Sequence, residues 1–288
     1  MKIEVYVVSA FCKDDSGGNK AGVVLFNDGL SETHKKAISG KLGYSETAFV
    51  TKSDQADFKL EYFTPSEEVP LCGHATIATF SLMQHLNMLD KTEYTFETKA
   101  GILSVDIDNG KVFMEQAKPQ YFEVLEKSEV VSCFDIDCIS EQYSIQIMST
   151  GLRDIMIPIR DEDALNSMNP DFDAISEISR KHDCVGIHAF VLQGDRIICR
   201  NFAPLYDIPE ESATGTANCA LVSYLYKHEI MRKNVYAIEQ GYSLNSPSEI
   251  TVKLIVENGA CTGTRTGEIS RIFVGGSGCF VEKLEIEI

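Results

Sequence analysis

Basic residues are the scarce class in this chain: 26 Lys and Arg stand against 43 Asp and Glu among 288 residues, a net charge of −17. That deficit argues against nucleic acid or an anionic membrane surface as partner, because phosphate contacts need clustered cations. It leaves a small anionic metabolite open, since the field in a cleft is set locally. No apolar run approaches the length needed to span a bilayer. The first seven residues alternate like a strand and not like a targeting segment, so a cytoplasmic location is expected. Tryptophan is absent, which decides nothing. The nine cysteines, odd in number and without even spacing, read as reduced thiols. Neither GxGxxG nor GxxxxGK[ST] occurs, so nucleotide cofactors have no support. Cys133 with Cys138, and His182 with Cys184, lack the paired spacing of a zinc site. Gly275-Gly276-Ser277-Gly278-Cys279 falls one residue short of a nucleophile elbow and reads as a turn or bulge between strands.

What is present is a repeat. Ala48-Phe49-Val50 recurs as Ala189-Phe190-Val191, and Phe63-Thr64-Pro65 as Phe202-Ala203-Pro204. Gly73-His74-Ala75-Thr76 is echoed by Gly215-Thr216-Ala217-Asn218, and Ala100-Gly101 by Gln240-Gly241, all at offsets of 139 to 142 residues. A hydrophobic content of 44% suits an ordinary globular protein. The repeat divides the chain into two domains, 1–117 (completed by 278–288) and 118–277, each long enough for its own core.

Strand-like alternation is read at Ile3–Val8, Val23–Phe26, Ser45–Val50, Phe58–Phe63, Tyr94–Glu97, Leu103–Ile107 and Val112–Met114. A helix follows Ser31 and stops at Gly43, and a clearer one starts at Gly73, with Ala75, Ala78, Leu82, Leu86 and Leu89 on one face. The stretch Glu115–Glu129, with Pro119, reads as the domain boundary. Beyond it the order replays. A strand at Ile155–Ile159 precedes a helix over Asp173–His182 capped by Asp173, and strands follow at Gly186–Leu192 and Arg196–Phe202. A helix from Gly215 and strands at Val235–Glu239 and Ile250–Val256 complete the copy. Strands and helices do not alternate as in a βαβ series, so the expected class is α+β, mostly antiparallel strands wrapped around a central helix in each domain.

Each clear helix starts at a glycine, where unpaired first-turn N–H groups point outward and favour an anion. His74 in one such turn has the chemistry of a hydrogen-bonding or proton-shuttling group. In the other, Thr214 or Thr216 is placed to cap, with Glu211 at the positive end of the helix. If the domains pack with pseudo-twofold symmetry, the two starts meet in a cleft. Glu46, at a strand start beside Ala48-Phe49-Val50, is a candidate general acid or base. Its repeat counterpart near Gly186-Ile187 is not acidic.

Together, Gly18-Asn19-Lys20-Ala21-Gly22-Val23, Ser45-Glu46-Thr47-Ala48-Phe49-Val50, Phe63-Thr64-Pro65 and Leu71-Cys72-Gly73-His74-Ala75-Thr76 resemble the PhzF-like isomerase family of phenazine biosynthesis. Arg200–Pro204, Pro209–Ala217 and Val274-Gly275-Gly276 extend the resemblance over nearly the whole chain. It implies two diaminopimelate-epimerase-like domains with an active site in the cleft, a homodimer and no cofactor or metal. Residue by residue, it makes Glu46 the proton-transferring carboxylate, with His74 and Glu211 assisting. Asn19, Ser45, Gly73, Gly215 and Thr216 become substrate-binding residues. Glu211, Ser212 and Thr216 stand where the family usually has Asp, Pro and Ser, which keeps the functional groups and shrinks the pocket. Related epimerases carry one cysteine per copy. Here Cys72 fits the first place but Ala213 occupies the second, so a two-thiol mechanism is broken. The expected activity is a proton shift within a small carboxylate-bearing metabolite. The alternatives are an epimerase or racemase of a small acid, and a metabolite-binding protein that has lost turnover.

Overall fold

The computed structural model describes residues 1–26, 29–257 and 267–288, so Cys261 lies outside the described residues. In chain order the elements begin with β1 (Lys2–Ala10), β2 (Asn19–Leu25), α1 (Glu32–Leu42), β3 (Thr47–Thr51), β4 (Phe58–Phe63) and β5 (Glu68–Val69). Next come α2 (Gly73–His85), β6 (Glu93–Thr98), β7 (Gly101–Asp108), β8 (Lys111–Gln116), β9 (Gln120–Leu125) and α3 (Lys127–Val130). They continue with β10 (Ile145–Ser149), β11 (Arg153–Pro158), α4 (Glu162–Ser167), α5 (Phe172–Lys181), β12 (Gly186–Gln193) and β13 (Arg196–Ala203). The last are β14 (Ile208–Glu211), α6 (Gly215–Lys227), β15 (Val235–Gln240), β16 (Ser248–Glu257), β17 (Glu268–Gly276) and β18 (Gly278–Glu287). This is a mixed fold, rich in sheet and with few helices. By its contacts the chain forms two units, Met1–Glu115 with Gly275–Ile288, and Gln116–Val274.

In the first unit the strands pair in the order β18–β1–β2–β3–β4–β6–β7–β8 through residue 115. Only β2–β3 and β4–β6 in that order are parallel. A parallel pair cannot be joined by a tight hairpin and needs a crossover; α1 supplies the first and α2 the second. Local chemistry sets the limits of α1. The Ser31 hydroxyl accepts from the His34 N–H, and Gly43 ends the helix at φ 70°, where a side chain would be strained. Helix α2 has no exposed face to orient it: every residue from His74 to Met83 is buried. Phe80 on α2 packs edge-on against Phe58 of β4, with ring centroids 5.9 Å apart, and lies 5.6 Å from Phe96 of β6.

The second unit pairs β9–β10–β11–β12–β13–β15–β16. Again two pairs are parallel: β11–β12, crossed by α4 and α5, and β13–β15, crossed by α6. Helix α6 is buried continuously from Ala217 to Leu225. Between β12 and β13 the chain reverses in a two-residue hairpin whose first residue, Gly194, has φ 61°.

Several expectations need correction. Helix α2 ends at His85, leaving Leu86 as its C-cap and Leu89 outside it, so the stripe drawn through them is not one helical face. Asp171, not Asp173, caps α5, accepting from the Ala174 N–H at 3.0 Å. Gly275 and Gly276 close β17 and Gly278 opens β18; only Ser277 lies between them, its carbonyl accepting from the Cys12 N–H at 3.1 Å. The stretch Glu115–Glu129 contains the division between the units, at Glu115 and Gln116, but also a full strand, β9. Strands β5, β10, β14, β17 and β18 and the short helices α3 and α4 have no counterpart in the ranges read from the sequence.

Two glycines separate steric from conformational demand. A Cβ on Gly186 would lie 1.9 Å from the Phe202 carbonyl oxygen, whereas one on Gly194 would meet nothing within 4 Å. Gly186→Ala should therefore cost about 3 kcal/mol or more. Gly194→Ala should cost only about 1 kcal/mol, for its positive φ. Urea denaturation of both variants checks this; equal costs would show that the close approach at Gly186 is not real.

Candidate active site

In the first unit, the helix start and the strand start converge. Cys72 is the N-cap of α2 and its side chain makes no capping bond. The Thr76 hydroxyl, one turn in, donates back to the Cys72 carbonyl at 2.7 Å and lies 2.6 Å from the Tyr62 hydroxyl. His74 is therefore held on a helix end fastened from inside. Its Nε2 lies 3.4 Å from Glu46 Oε2, and its Nδ1 lies 3.4 Å from Cys72 Sγ. Glu46 directly precedes β3 and its side chain is 18% exposed; Oε2 itself is buried and has no hydrogen-bond partner. An acceptor buried without a donor is costly, so this oxygen marks a place built for something other than packing. Gly73 fits the same reading. A Cβ there would meet only Met114 Cε, at 3.7 Å, so packing does not demand glycine.

Asn19, at the start of β2, is buried and stands opposite Ala10 in the sheet. Ser45 lies exposed in the bend before Glu46. Glu211, Gly215 and Thr216 belong to the second unit.

The sheet register within each unit gives a way to compare Glu46 with the second unit. Thr47 stands opposite Phe63, and Ile187 stands opposite Phe202. Glu46 therefore corresponds to Gly186, where the Phe202 carbonyl leaves no room for a side chain. The second unit places its polar groups elsewhere. Thr214 is the N-cap of α6 by backbone geometry, but its hydroxyl does not cap the helix; it donates to Glu211 Oε2 at 2.6 Å. Glu210, the neighbour of Glu211 on β14, accepts two bonds from Arg200 at 2.8 Å, and strand alternation sends the two carboxylates to opposite faces. Thr216 keeps its carbonyl engaged, accepting from Thr150 Oγ1 at 3.0 Å.

Behind Glu211 lies a buried polar network that sequence reading missed. Gln240 Nε2 donates to the Glu211 carbonyl at 2.8 Å, and Gln240 Oε1 accepts from the Thr214 N–H at 3.2 Å. Asn218 Nδ2 donates to Gln240 Oε1 and to the Thr214 carbonyl, both at 2.8 Å. Asn218 Oδ1 lies 3.2 Å from His188 Nε2, and His188 Nδ1 lies 3.1 Å from Asn201 Nδ2. Since the Asn201 amide can only donate there, His188 Nε2 carries the proton and donates to Asn218. Burial pushes His188 down to about 4, so it is neutral. Asn201 also bonds Asp154, a carboxyl 2% exposed. Burial first, and the nearby Glu211 charge second, push Asp154 up to about 7. The one clue in the sequence was Asn218 and Gln240 sitting at repeat positions of Thr76 and Ala100.

The sequence profile of the phenazine biosynthesis-like proteins (PhzC-PhzF) matches residues 8–283. The chain belongs to that family. An uncharacterized isomerase of Clostridium acetobutylicum is 35% identical over 80% of this chain and 81% of its own. The trans-2,3-dihydro-3-hydroxyanthranilate isomerase of Pseudomonas fluorescens is 28% identical over 94% of this chain and 95% of its own. Among solved structures, the Bacillus anthracis phenazine biosynthesis protein of the PhzF family superposes over 100% of both chains, with a TM-score of 0.88 and 28% identity. A hydroxyproline epimerase from Agrobacterium vitis shares the fold at a TM-score of 0.61 and 12% identity, over 99% of this chain and 91% of its own. The two relatives above carry isomerase names, and the fold is shared with an epimerase. No helix among the described residues is long and apolar enough to cross a membrane.

Asp154 makes stability depend on pH. Between about pH 4 and 7 the folded protein holds a proton that the unfolded chain has lost, so this contribution is complete below pH 4 and is lost as pH rises through 7. Asp154→Asn keeps the neutral shape without the titration. From pH 4 to pH 8, the stability difference should shift toward the variant by about 2–4 kcal/mol. Urea denaturation at both pH values reads this, and parallel pH profiles would show that Asp154 does not carry the proton.

Proposed function

We propose that this protein is a cofactor-independent isomerase that moves a proton within a small carboxylate-bearing metabolite. One observation carries the reading: a buried Glu46 oxygen without a hydrogen-bond partner, 3.4 Å from His74, beside an α2 start that no side chain caps. Glu46 removes a proton from a carbon next to the substrate's carboxylate or enol system. The electron pair moves into the conjugated system, and the same proton returns at another carbon. Developing negative charge is met by first-turn amides of α2, and His74 assists at Glu46. In this reading the domains are related by a pseudo-twofold axis and α6 serves the same substrate. Gly215 and Thr216 then hold an anionic group, Asn19 and Ser45 contribute to binding, and the enzyme works as a cytoplasmic homodimer.

Epimerisation between Glu46 and Glu211 fits less well. Glu211 already accepts the Thr214 hydroxyl at 2.6 Å and carries the charge that Asp154 senses. It is held as a fixed acceptor, which suits orientation better than proton abstraction. The relatives named isomerases point the same way, although Glu211 and Thr216 leave a tighter pocket than the family's Asp and Ser.

A panel of small unsaturated and hydroxylated carboxylates in deuterated water tests the reading, with label incorporation read by mass spectrometry and binding by thermal shift. The native protein should label at least one member, and Glu46→Gln should slow labelling by about 10²–10⁴-fold while keeping the thermal shift. Labelling that survives in Glu46→Gln would refute the role of Glu46. Inversion at the labelled carbon without a double-bond shift would favour epimerisation.

A further inference from the structure

We propose that Glu46, Cys72 and His74 form a three-ligand site for a thiophilic divalent cation, Zn²⁺, whose binding blocks the carboxylate. The donor atoms of the three residues lie within 4.8 Å of one another. Two of them are fixed on one helix end in a C-x-H spacing, and the third directly precedes β3. Zinc bonds of about 2.3 Å to sulfur and 2.0–2.2 Å to nitrogen and oxygen, at tetrahedral angles, put sulfur and nitrogen about 3.6 Å apart, and nitrogen and oxygen about 3.4 Å apart. The corresponding separations at His74 Nε2 are 3.9 Å to Cys72 Sγ and 3.4 Å to Glu46 Oε2. Because Cys72 Sγ lies nearer Nδ1, at 3.4 Å, a turn of the His74 ring is needed to bring the three donors, already within 4.8 Å of one another, around one ion.

A hydrogen bond between Cys72 Sγ and His74 Nδ1 at 3.4 Å accounts for two of the three residues but leaves Glu46 Oε2 without a donor. At 3.4 Å the His74–Glu46 approach is longer than an ordinary N–H···O bond, and Glu46 Oε2 makes no hydrogen bond at all. Two ligands held just beyond hydrogen-bond reach of each other are spaced as they would be across a cation. A carboxylate, an imidazole and a thiol also form a donor set that zinc accepts and magnesium does not. Binding would release the thiol proton to water and form a Zn–S bond, leaving a fourth position for water or a substrate carboxylate. Inhibition of turnover by zinc rests on the function proposed above; metal binding does not.

Cobalt serves as the spectroscopic probe. Added to the chelator-stripped native protein, Co²⁺ should give a thiolate-to-cobalt charge-transfer band with one ion per chain, and Zn²⁺ should remove it. Cys72→Ser should abolish the band, while Cys279→Ser, at a more accessible thiol, should keep it. Glu46→Gln should weaken Zn²⁺ at least about tenfold in competition with a chromophoric chelator. Absence of the band, its survival in Cys72→Ser, or its loss in Cys279→Ser would overturn the site. If the band behaves as expected but Zn²⁺ leaves isotope labelling untouched, the metal site stands and the role given to Glu46 falls.

Discussion

Burying a whole helix inside each unit is the constraint on which the rest depends. Every backbone donor and acceptor in such a helix must be satisfied without water, and the interior of the helix does this by itself. Its ends cannot. In α2 and α6 the same solution recurs one turn in: Thr76 and Asn218 donate side-chain hydrogen bonds back to the N-cap carbonyls of Cys72 and Thr214. Those bonds fasten each helix end from the inside and leave the capping position of the first turn without a side chain. A helix start fixed in this way is preorganised for an anion, because its amides need not reorganise when a ligand arrives.

The parts of this arrangement with local causes were legible in the sequence. Ser31 and Gly43 bracket α1 through a cap and a left-handed turn, and the glycines at 73 and 215 mark both central helices. The parts with non-local causes were not. Asp171 and Asp173 look equally able to cap α5, and only the backbone decides for Asp171. Strand β9 escapes notice because its burial does not alternate: only Leu125 is buried, while the apolar Tyr121 and Val124 are exposed. The helical stripe through Leu86 and Leu89 misled because α2 is buried on every side, so its apolar residues need no periodicity.

The polar residues around the helix starts show the same limit. Asp154 follows an arginine in a short apolar strand, and nothing nearby in the chain reveals that it is enclosed. Its burial comes from strands β12 and β13, more than 30 residues away. Asn201 and His188 are similarly unremarkable alone and become a wire only when β12 and β13 pair. Register also refined the repeat: motif matching aligned Ala48 with Ala189, whereas pairing with Phe63 and Phe202 aligns Ala48 with His188. A residue of slip moves a side chain to the other face, so the counterpart of a candidate acid or base has to be taken from the pairing.

That correction explains why the two halves differ chemically. If Glu46 corresponds to Gly186, the second unit cannot gain a matching carboxylate by a single substitution, since any side chain there meets the Phe202 carbonyl. Its acidic groups stand instead at Glu211 and Asp154, joined through Asn201, His188, Asn218, Gln240 and Thr214. The two arrangements answer different electrostatic problems. Glu46 is left with a buried oxygen that accepts no hydrogen bond. Glu211 is supplied with a donor and faces a second carboxyl that relieves repulsion by holding its own proton. A group of the first kind is suited to exchange, and one of the second kind to hold a fixed charge. The lack of a carboxylate at this register of the second unit thus follows from one close approach of backbone at Gly186.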